Sequence, residues 1–495
     1  MIFKRFFPSP AIFRTKGAAG LFAHKFLLFL AGLILFAACQ KPVQGPDIPD
    51  EGKTEEPVPE PVPEPTGQEY VWDSSQMPVI TINMSVEEWN KLLKRFDEYD
   101  HNADYFHADL TFEKAGEKTV VNDAGLRLRG NTSRRRPEGN RGQLHDSENP
   151  DWHHCHFGIN LRKFHKDDEH MIKGVRKFNL KWFKDDPMYV RELYCYDLFR
   201  RYGIWTAPLD VYCRVFVKVG EEKAAYFGVY GLTESVDEKY LKNRKDGFEN
   251  DKGYIWKCGW GDGPADLDGL DGSWGVDKNT GVNYTYEFKG EEAEYAAAKA
   301  QFEDFLKKLQ GKGDESFKLW IEQVCDVEFL LKTYAVNVAT GMWDDMWNGG
   351  NNYYIYFNST DLYNYKFFFI PYDYDNTLGT GNGYDPGRQD PYKWGDRGLL
   401  MKRLMKFPEY RAIYRDALKE LADEGKGLFH HDASVARIRA WHEMISPYIS
   451  NDTGEDMKIE DRPAPWGNHS NYRILSGGED NNFFKVKTSA IKAMK

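Results

Sequence analysis

Acidic and amide side chains flank two short aromatic runs in the second half of the chain. Asp344 and Asp345 precede the run N-N-Y-Y-I-Y-F. Asp373 lies near the end of the run Y-K-F-F-F-I-P-Y-D-Y-D, after its apolar residues. Both runs are rich in β-formers and a polar turn separates them, so they predict a β-hairpin. Such a hairpin brings one of these aspartates, Asn351 or Asn352, and Asp373 towards one place. Hard oxygen ligands that converge in this order suit a Mg²⁺–triphosphate site.

A basic strand end supplies the opposite charge. The run R-L-R-G-N-T-S places Arg127 and Arg129 on one face of a strand predicted over Val120–Arg129, and Gly130–Ser133 forms the turn that follows. Small residues in that turn expose backbone N–H groups, which suit phosphate oxygens. An ordinary basic β-turn is the alternative interpretation of the same residues.

A strand lysine and a helix glutamate form the third candidate feature. The run R-K-F-N-L-K-W-F alternates, with Lys177 and Lys181 on one face of the predicted strand. We expect Asp186 to cap the next helix, with Pro187 at its first position, and this helix carries Glu192. In kinases, a strand lysine is ordered by a helix glutamate to bind phosphate. A surface lysine and an ordinary helical glutamate are the alternative.

Two other segments raise the question of a metal site. In the run H-H-C-H, His154 and His156 are predicted on one face of a strand and Cys155 on the opposite, core-facing side, which disfavours zinc. The stretch Gly259–Gly281 is rich in Gly and Asp but lacks the spacing and the closing Glu of an EF-hand loop. We therefore expect a solvated loop there rather than a calcium site.

Composition and segment order define the fold class. The chain has 495 residues, of which 41% are hydrophobic and 15% aromatic, and it is long enough for one large core or two ordinary ones. A net charge of −11 without a long basic stripe argues against nucleic acid as a partner. Strand-like segments come first, so we predict an α+β fold with a β-rich part over residues 70–290. A helix-rich part over residues 291–495 then carries the metal and catalytic residues.

The N-terminal residues predict targeting to a membrane. Basic residues precede an apolar run over Phe26–Ala38, which is too short for a membrane span of about 20 residues. Because this run ends in L-F-A-A-C, which resembles a bacterial lipobox, we predict a lipoprotein signal over residues 1–38 and lipidation of Cys39. An uncleaved anchor and a plain secretory signal are the alternatives. The Pro- and Glu-rich residues 39–69 predict an extended tether, which would place the protein in the cell envelope, facing the periplasm or the cell surface.

Five ordered blocks link the chain to a known family. They are R-L-R-G-N-T-S, K-F-N-L-K-W-F-K-D-D-P with R-E-L-Y-C-Y-D-L-F-R-R-Y-G, Y-F-G-V-Y-G-L-T-E-S-V-D-E-K-Y-L, N-N-Y-Y-I-Y-F with I-P-Y-D-Y-D-N-T-L-G, and R-L-M-K-F-P-E-Y-R. Together they resemble the CotH kinase family, the spore-coat protein H-like atypical protein kinases. The resemblance covers most of the chain from Pro78 to about Leu421. It implies an atypical protein-kinase-like fold, although H-R-D and D-F-G are both absent.

The resemblance implies roles for single residues and a nucleotide-dependent activity. Asp373 is then the metal-binding aspartate, Asn352 a second ligand, and Asp375 either a further ligand or a structural cap. Asp344 is the catalytic acid, with Asp345 as its competitor. The cofactor is Mg²⁺ or Mn²⁺, and ATP is the substrate. The nucleotide-binding candidates are Lys181, Glu192, Arg129, Gly130, Asn131 and Ser133.

Two departures from the family pattern affect these assignments. Members commonly carry lysines after the R-G-N turn, where this chain has H-H-C-H-F-G-I-N-L. We therefore assign phosphate binding to Lys181, with Lys177 as the runner-up. Asn351 stands in the position of the family's histidine.

The sequence thus leads to one functional hypothesis and two rivals. The hypothesis is an envelope-anchored kinase that transfers phosphate from ATP to Ser or Thr of a protein acceptor or another envelope component. The first rival is an inactive kinase-like module that serves in surface adhesion or envelope binding. The second rival has a carbohydrate or cell-wall polymer as acceptor or ligand, which the tryptophan-bearing loops permit.

Overall fold

The structure is a computed structural model that describes residues 67–278, 280–467 and 471–495. The predicted signal over residues 1–38, Cys39 and nearly all of the predicted tether lie outside the described residues. Those described belong to one unit, Pro63–Lys495. Within them, no helix combines the length and the apolar character needed to cross a bilayer.

Seven strands close into a β-barrel in the first part of the unit. Their order around the barrel is β1-β2-β3-β4-β5-β7-β6, and the parallel pair of β1 with β6 closes it. The remaining neighbours are antiparallel. The strands are β1 Val79–Met84, β2 Phe106–Lys114, β3 Glu117–Arg129, β4 His156–Asn160, β5 Lys177–Lys181, β6 Asp210–Val219 and β7 Ala225–Glu234.

A second sheet has the order β12-β11-β8-β10-β9. The strands are β8 Tyr254–Cys258, β9 Trp274–Val276, β10 Tyr286–Phe288, β11 Tyr353–Phe357 and β12 Phe367–Pro371. The predicted hairpin is confirmed, because β11 and β12 pair antiparallel with Tyr353 opposite Pro371. All five residues of β11 are buried, and their two faces join separate apolar clusters, which explains the unbroken aromatic run.

The second sheet also corrects the prediction for the Gly- and Asp-rich stretch. We expected Gly259–Gly281 to be a solvated loop, but β9 lies within it and pairs in parallel with β10. The sheet draws three strands from before residue 290 and two from after it. It therefore crosses the predicted division between residues 70–290 and 291–495.

Helices surround these sheets. The longest of the described helices belong to the second half, and the central one, α8, is buried on nearly all sides, as expected for its almost wholly apolar sequence. Asp326 begins α8 as predicted, since its Oδ1 accepts a hydrogen bond from the Phe329 N–H at 2.9 Å. The helices are α1 Gln68–Trp72, α2 Val86–Glu98, α3 Arg191–Arg201, α4 Glu238–Asn243, α5 Lys245–Phe248, α6 Tyr295–Gly311, α7 Asp314–Val324, α8 Val327–Ala339, α9 Leu399–Leu404, α10 Pro408–Leu421, α11 His431–Ile445 and α12 Phe483–Lys492.

The start of α3 differs from the prediction. We expected Asp186 to cap this helix and Pro187 to begin it, but α3 begins at Arg191. Tyr189 has a φ of 57°, a left-handed backbone conformation that a helix does not contain. Asp186 still acts on the helix start, because its Oδ2 accepts hydrogen bonds from the N–H groups of Val190 and Arg191, each at 2.8 Å. The predicted cap is therefore wrong in position, since Val190 is the N-cap, although the Asp186 side chain does bind N–H groups at the start of the helix.

The fold is thus a mixture of a β-barrel, a second sheet and helices, in keeping with the predicted α+β class. Barrel closure was not predicted, because it depends on the pairing of β1 with β6, which lie far apart in the sequence. The kinase-like fold implied by the family resemblance stays a prediction.

Candidate active site

A cavity of about 450 Å³ lies where β3 and β5 end beside the loops that flank the β11–β12 hairpin. Its lining includes most of the residues that the sequence singled out. Glu192 and Asp345 are not among its lining residues, and neither is Lys177. The predicted residues that do line it are Arg129, Gly130, Asn131, Ser133, Lys181, Asp344, Asn351, Asn352, Asp373 and Asp375.

Lys181 joins three elements at the floor of this cavity. Its Nζ lies 2.5 Å from Asp373 Oδ1 and 2.5 Å from Glu192 Oε2, so β5, the hairpin end and α3 meet at one ammonium group. Burial alone would lower the pKa of Lys181, but the two carboxylates raise this pKa well above its usual range. Lys177 lies at the opposite end of β5, so Lys181 is the lysine that reaches the hairpin aspartate.

Asp373 is held as a carboxylate immediately after β12. Burial would raise its pKa, but the ion pair with Lys181 and the nearby Arg129 guanidinium lower this pKa to about 2. The Asp373 N–H donates to the Tyr196 hydroxyl of α3 at 2.9 Å. Its φ of 63° and the φ of 58° at Asn352 put left-handed residues at both ends of the hairpin. Such strained backbone positions concentrate at functional sites.

Asp344 also lines this cavity. Its carboxylate accepts hydrogen bonds from Asn351 Nδ2 at 3.2 Å and from Asn352 Nδ2 at 2.9 Å. Burial, with a further contribution from the Asp373 carboxylate, raises the pKa of Asp344 to about 6. A carboxylate with this pKa can accept a proton from a hydroxyl group that approaches through the cavity.

Asp345 has a different environment, although it is the next residue. It is 2% exposed, and its carboxylate accepts hydrogen bonds from Asn337 Nδ2 of α8 at 2.5 Å and from the Asn348 N–H at 2.8 Å. Burial raises its pKa to about 8. Asp345 thus ties the 344–352 loop to α8, whereas Asp344 faces the cavity.

The two neighbouring asparagines are also distinguished by their contacts. Asn351 Oδ1 accepts a hydrogen bond from the Trp260 N–H at 2.9 Å, so its oxygen is already used. Asn352 donates through its nitrogen to Asp344 and keeps its carbonyl oxygen without a protein donor among the described residues. The oxygen of Asn352 is therefore the one that is available to a ligand.

Asp375 completes a set of oxygen donors. It lines the cavity, and within the described residues its carboxylate makes no hydrogen bond and no direct ion pair. Burial and the Asp373 carboxylate raise its pKa well above the usual range. A divalent cation bound by Asp373, Asp375 and the Asn352 oxygen would relieve this repulsion, and carboxylate and amide oxygens are ligands that Mg²⁺ and Mn²⁺ accept. The residues present thus fit the predicted cofactor.

The turn after β3 forms the rim of the cavity. Gly130 has a φ of 110°, and a Cβ atom there would lie 2.6 Å from Ser133 Oγ, so the turn requires glycine. Arg129 Nη2 donates to the Tyr372 hydroxyl at 2.8 Å, which brings β3 next to the end of β12. The Asn131 side chain accepts a hydrogen bond from Asn283 Nδ2 at 3.4 Å.

His156 is a cavity residue that the sequence analysis did not place in the site. It pairs with Arg129 across β3 and β4, and its Nδ1 accepts a hydrogen bond from the Trp182 N–H at 3.1 Å. Burial and the cations Arg129 and Lys181 lower its pKa well below the usual range, so the ring is neutral and carries its proton on Nε2. The sequence contains no signal for this neighbour, because the pairing of His156 with Arg129 depends on the register of β3 with β4.

One part of the prediction for His154 is wrong, because this residue lies outside β4. We expected His154 and His156 on one face of a strand, but β4 begins only at His156. The two rings nevertheless lie on the same side, because both stack on the Trp182 ring, with centroid distances of 5.8 Å for His154 and 5.1 Å for His156. His154 is also hydrogen-bonded through Nε2 to the Phe227 carbonyl at 2.7 Å. Cys155 between them is 1% exposed and belongs to the barrel core, as predicted.

A second cavity of about 160 Å³ reaches Asp373 and Arg129 from another side. Arg127, Arg134 and Lys257 line it, and none of the three has a carboxylate partner within 4 Å in the described part of the chain. Burial and repulsion by Arg127 and Arg129 lower the pKa of Arg134 to about 10. Asp277, Glu287 and Asp373 also line this cavity, but its lysines and arginines outnumber these acids, which indicates a binding place for an anion. Sequence analysis missed Arg134 and Lys257 because they come from a loop and from β8.

Together these features define a class of site. A strand lysine is held by a helix glutamate, and an aspartate follows a hairpin. The 344–352 loop adds an acid, Asp344, and two amides, Asn351 and Asn352, to the same cavity. Phosphoryl-transfer proteins use this combination to bind a metal-complexed phosphate chain and to position a hydroxyl group.

Comparison with known families agrees with this class. The family described as CotH kinase protein matches residues 126–474, well over half of the chain, and the match includes every candidate residue discussed above. The chain therefore belongs to the CotH kinase family, and the family prediction is confirmed. The matched range begins and ends later than the predicted one, Pro78 to about Leu421. Comparison with curated proteins finds no significant match.

Proposed function

We propose that the protein is a phosphotransferase that moves the terminal phosphoryl group of ATP to a Ser or Thr hydroxyl of a protein acceptor. The observation that carries this proposal is the ion-pair triad of Lys181, Asp373 and Glu192, with both distances at 2.5 Å. A buried lysine that is fixed between two acids, at the edge of a polar cavity, is arranged for phosphate oxygens rather than for structural support alone.

The donor would be bound by its phosphate chain. Asn352, Asp373 and Asp375 would hold a divalent cation, which supplies positive charge to the phosphate oxygens when it is bound. Lys181, Arg129 and the N–H groups of the Gly130–Ser133 turn would contact the transferred phosphoryl group. The second cavity, with Arg127, Arg134 and Lys257, would take the remaining negative charge of the donor.

The acceptor hydroxyl would enter from the Asp344 side. Its oxygen forms a bond to the terminal phosphorus while the bond to the bridging oxygen of the diphosphate breaks. The hydroxyl proton passes to the Asp344 carboxylate, which is the nearest acid on that side of the cavity. ADP leaves with the bridging oxygen. Asn351 and Asn352 hold the Asp344 carboxylate in place through their side-chain amides.

The proposed location follows from the N-terminal sequence. L-F-A-A-C is followed by a Pro- and Glu-rich stretch, which together support a lipid anchor at Cys39 and a tether to the envelope. Mass spectrometry of the protein from a bacterial membrane fraction tests this proposal. A diacylglyceryl group on Cys39, lost in Cys39→Ser, is the expected result. An unmodified Cys39 in mature protein would contradict it.

The activity is tested with the full-length protein in detergent, γ-labelled ATP and Mg²⁺ or Mn²⁺. The acceptor source is an envelope extract, and labelled Ser or Thr is identified by mass spectrometry. We expect transfer that is lost in Asp373→Ala. If ATP binds but no acceptor, including the protein itself, is labelled, the inactive binding module is the better interpretation. Absence of nucleotide binding contradicts the proposal altogether.

Carbohydrate recognition has less support. Of the tryptophans that permitted it, Trp256 and Trp394 are 0% exposed and belong to the core. Trp260 is 48% exposed and packs with the Arg397 guanidinium, 5.4 Å from its ring centroid. Trp274 is partly buried against the core, so Trp260 is the one exposed ring among the four loop tryptophans Trp256, Trp260, Trp274 and Trp394. One such ring does not form the aromatic surface on which a sugar polymer binds.

A further inference from the structure

A second group of ligand-type side chains lies on the barrel, and none of its members lines either cavity of the active site. His165, Asp167 and His170 belong to the connection between β4 and β5. Asp123 lies on β3 and His107 on β2, next to this connection. The proposed phosphotransferase reaction uses none of these five residues.

Three of these side chains converge at one point. One ligand atom each from His165, Asp167 and His170 lies within 4.8 Å of the other two. The imidazole rings of the two histidines stack with centroids 4.2 Å apart and an angle of 12° between their planes. Zn²⁺ holds nitrogen and oxygen ligands at about 2.0–2.2 Å, which puts tetrahedral ligand atoms about 3.4 Å apart. His170 Nδ1 already lies 2.5 Å from Asp167 Oδ1. Because the nitrogen lone pairs lie in the ring planes, one of the stacked rings must tilt away from parallel before both histidines bind the same zinc ion.

An outer carboxylate already orients the first histidine. His165 Nε2 lies 2.6 Å from Asp123 Oδ2, and His107 Nδ1 is hydrogen-bonded to Asp123 Oδ1. A proton shared with Asp123 at Nε2 leaves Nδ1 of His165 free to bind a metal. Metal-binding histidines commonly donate their second N–H to a carboxylate in this way, which fixes the tautomer and the ring direction. The arrangement thus supplies both the ligands and their support.

Another group in the protein offers a comparison. Glu424, His430 and Asp432 also bring ligand atoms within 4.8 Å of one another. Only one of them is a histidine, and both acids are exposed. Two imidazoles are a much better start for a transition-metal site than one, because zinc prefers nitrogen ligands to isolated carboxylates. This second group therefore serves as an internal control.

We propose that His165, Asp167 and His170 bind Zn²⁺, with Asp123 as the outer carboxylate and water at the fourth position. The ion cross-links the β4–β5 loop, which is joined to β3 through the contact of His165 with Asp123. Since β5 follows this loop and ends at Lys181, zinc stabilises the part of the barrel that carries the active-site lysine. The proposal does not depend on the phosphotransferase assignment.

The test uses chelator-treated full-length protein, titrated with Zn²⁺ in excess Mg²⁺ so that the oxygen-rich active site is occupied. We expect one equivalent of Zn²⁺ to bind and to raise the melting temperature. Both effects should be lost in His165→Gln and in His170→Gln. Asp123→Asn should weaken binding by about 10- to 100-fold, the usual effect of removing an outer carboxylate. Co²⁺ in place of Zn²⁺ should give the visible absorption of a tetrahedral site.

The matched control is His430→Gln, which should leave the affinity, the melting temperature and the Co²⁺ spectrum unchanged. Absence of a bound equivalent overturns the proposal. So does binding that survives in His165→Gln and His170→Gln, or binding that disappears in His430→Gln. None of these three outcomes depends on whether the protein transfers phosphate, because none of the readouts involves ATP.

Discussion

Lys181 Nζ lies 2.5 Å from Asp373 Oδ1, although 192 residues separate the two in the chain. The contact joins β5 of the barrel to the end of the β11–β12 hairpin in the second sheet. Glu192 on α3 holds the same ammonium group from the other side. In the proposed function, this contact connects the phosphate-binding side of the site to its metal-binding side through a single cation.

Lys181→Met tests this connection. The variant leaves Glu192 and Asp373 without their shared cation, and breaking a buried pair by removing one partner costs about 3–5 kcal/mol. We expect a decrease of about 3 kcal/mol in the free energy of unfolding, measured by urea denaturation, and a loss of phosphoryl transfer of at least about 100-fold. Lys177→Met on the same strand is the control and should change both quantities little. Similar losses in the two variants would contradict the assigned role of Lys181.

Asp373→Asn tests the metal-binding side. ATP with Mn²⁺ should stabilise the wild type, by about 2.7 kcal/mol when the ligand is at 100 times its dissociation constant. The variant should fold but show no such metal-dependent rise in melting temperature. Asp361→Asn, in the turn of the same hairpin, is the matched control because its carboxylate only accepts hydrogen bonds from the N–H groups of Tyr363 and Asn364. An unchanged rise in Asp373→Asn would exclude Asp373 as a ligand.

The hairpin and its terminal aspartate were predictable because their signals are local. Aromatic and β-branched residues favour strands, a polar turn separates them, and the aspartate follows directly. Pairing of β11 with β12 then needs only the turn between them. Lys181 and Glu192 were also found from local signals, because they lie on a predicted strand and on the helix that follows it, in the order that kinases use.

The rest of the site depends on contacts between distant segments. Lys257 reaches the second cavity because β8 lies between β11 and β10, and the sequence contains no signal for that order. The sequence alone does not distinguish the roles of Asp344 and Asp345, because they are adjacent residues of the same type. The contact of Asp345 with Asn337 of α8 shows that Asp345 is the one bound to the helix. The early helix start predicted at Pro187 failed for a similar reason, because the left-handed Tyr189 donates its hydroxyl proton to the distant Asp456 carbonyl.

Asp344→Asn and Asp345→Asn should separate catalysis from support. The first variant should fold normally and bind ATP, but transfer should fall by about 10²- to 10⁴-fold because the proton acceptor is lost. The second places an amide where Asn337 and the Asn348 N–H both donate, so we expect about 1–3 kcal/mol of destabilisation. Thermal melting and labelled-ATP transfer measure the two effects. Normal transfer in Asp344→Asn would contradict its role as the base.

Lys257→Gln and Arg127→Gln test the second cavity as the place of the donor's phosphates. Each variant removes one cation that lacks an acidic partner, so ATP should bind about tenfold more weakly, while adenosine binding should not change. The affinity for ATP should also depend less on salt. The free energy of unfolding should change little in Lys257→Gln, because no ion pair within 4 Å is broken and only the weaker attraction of Lys257 for the Asp373 carboxylate is lost. Lys252→Gln is the control, since Lys252 has a side chain that is 81% exposed.

His145 should make stability depend on pH. Its ring is 2% exposed between Glu138, 3.0 Å from Nδ1, and Glu222, 2.8 Å from Nε2. Burial would lower the pKa of His145, but the two carboxylates raise it above the usual value. The folded protein therefore binds this proton more tightly than the unfolded chain. The resulting stabilisation is complete below the unfolded pKa of about 6.5 and is lost as pH rises through the folded pKa.

His145→Gln should remove this contribution. The free energy of unfolding of the wild type minus that of the variant should be largest near pH 6 and should shrink as pH rises to 8.5. Urea denaturation at several pH values measures this difference, with buffers of equal ionic strength. Removal of the ring also changes packing, but this contribution is the same at every pH. Only the change of the free-energy difference with pH therefore reports the ion pairs of protonated His145 with its two glutamates. A difference that stays constant or grows with pH would show that His145 is neutral between its two glutamates.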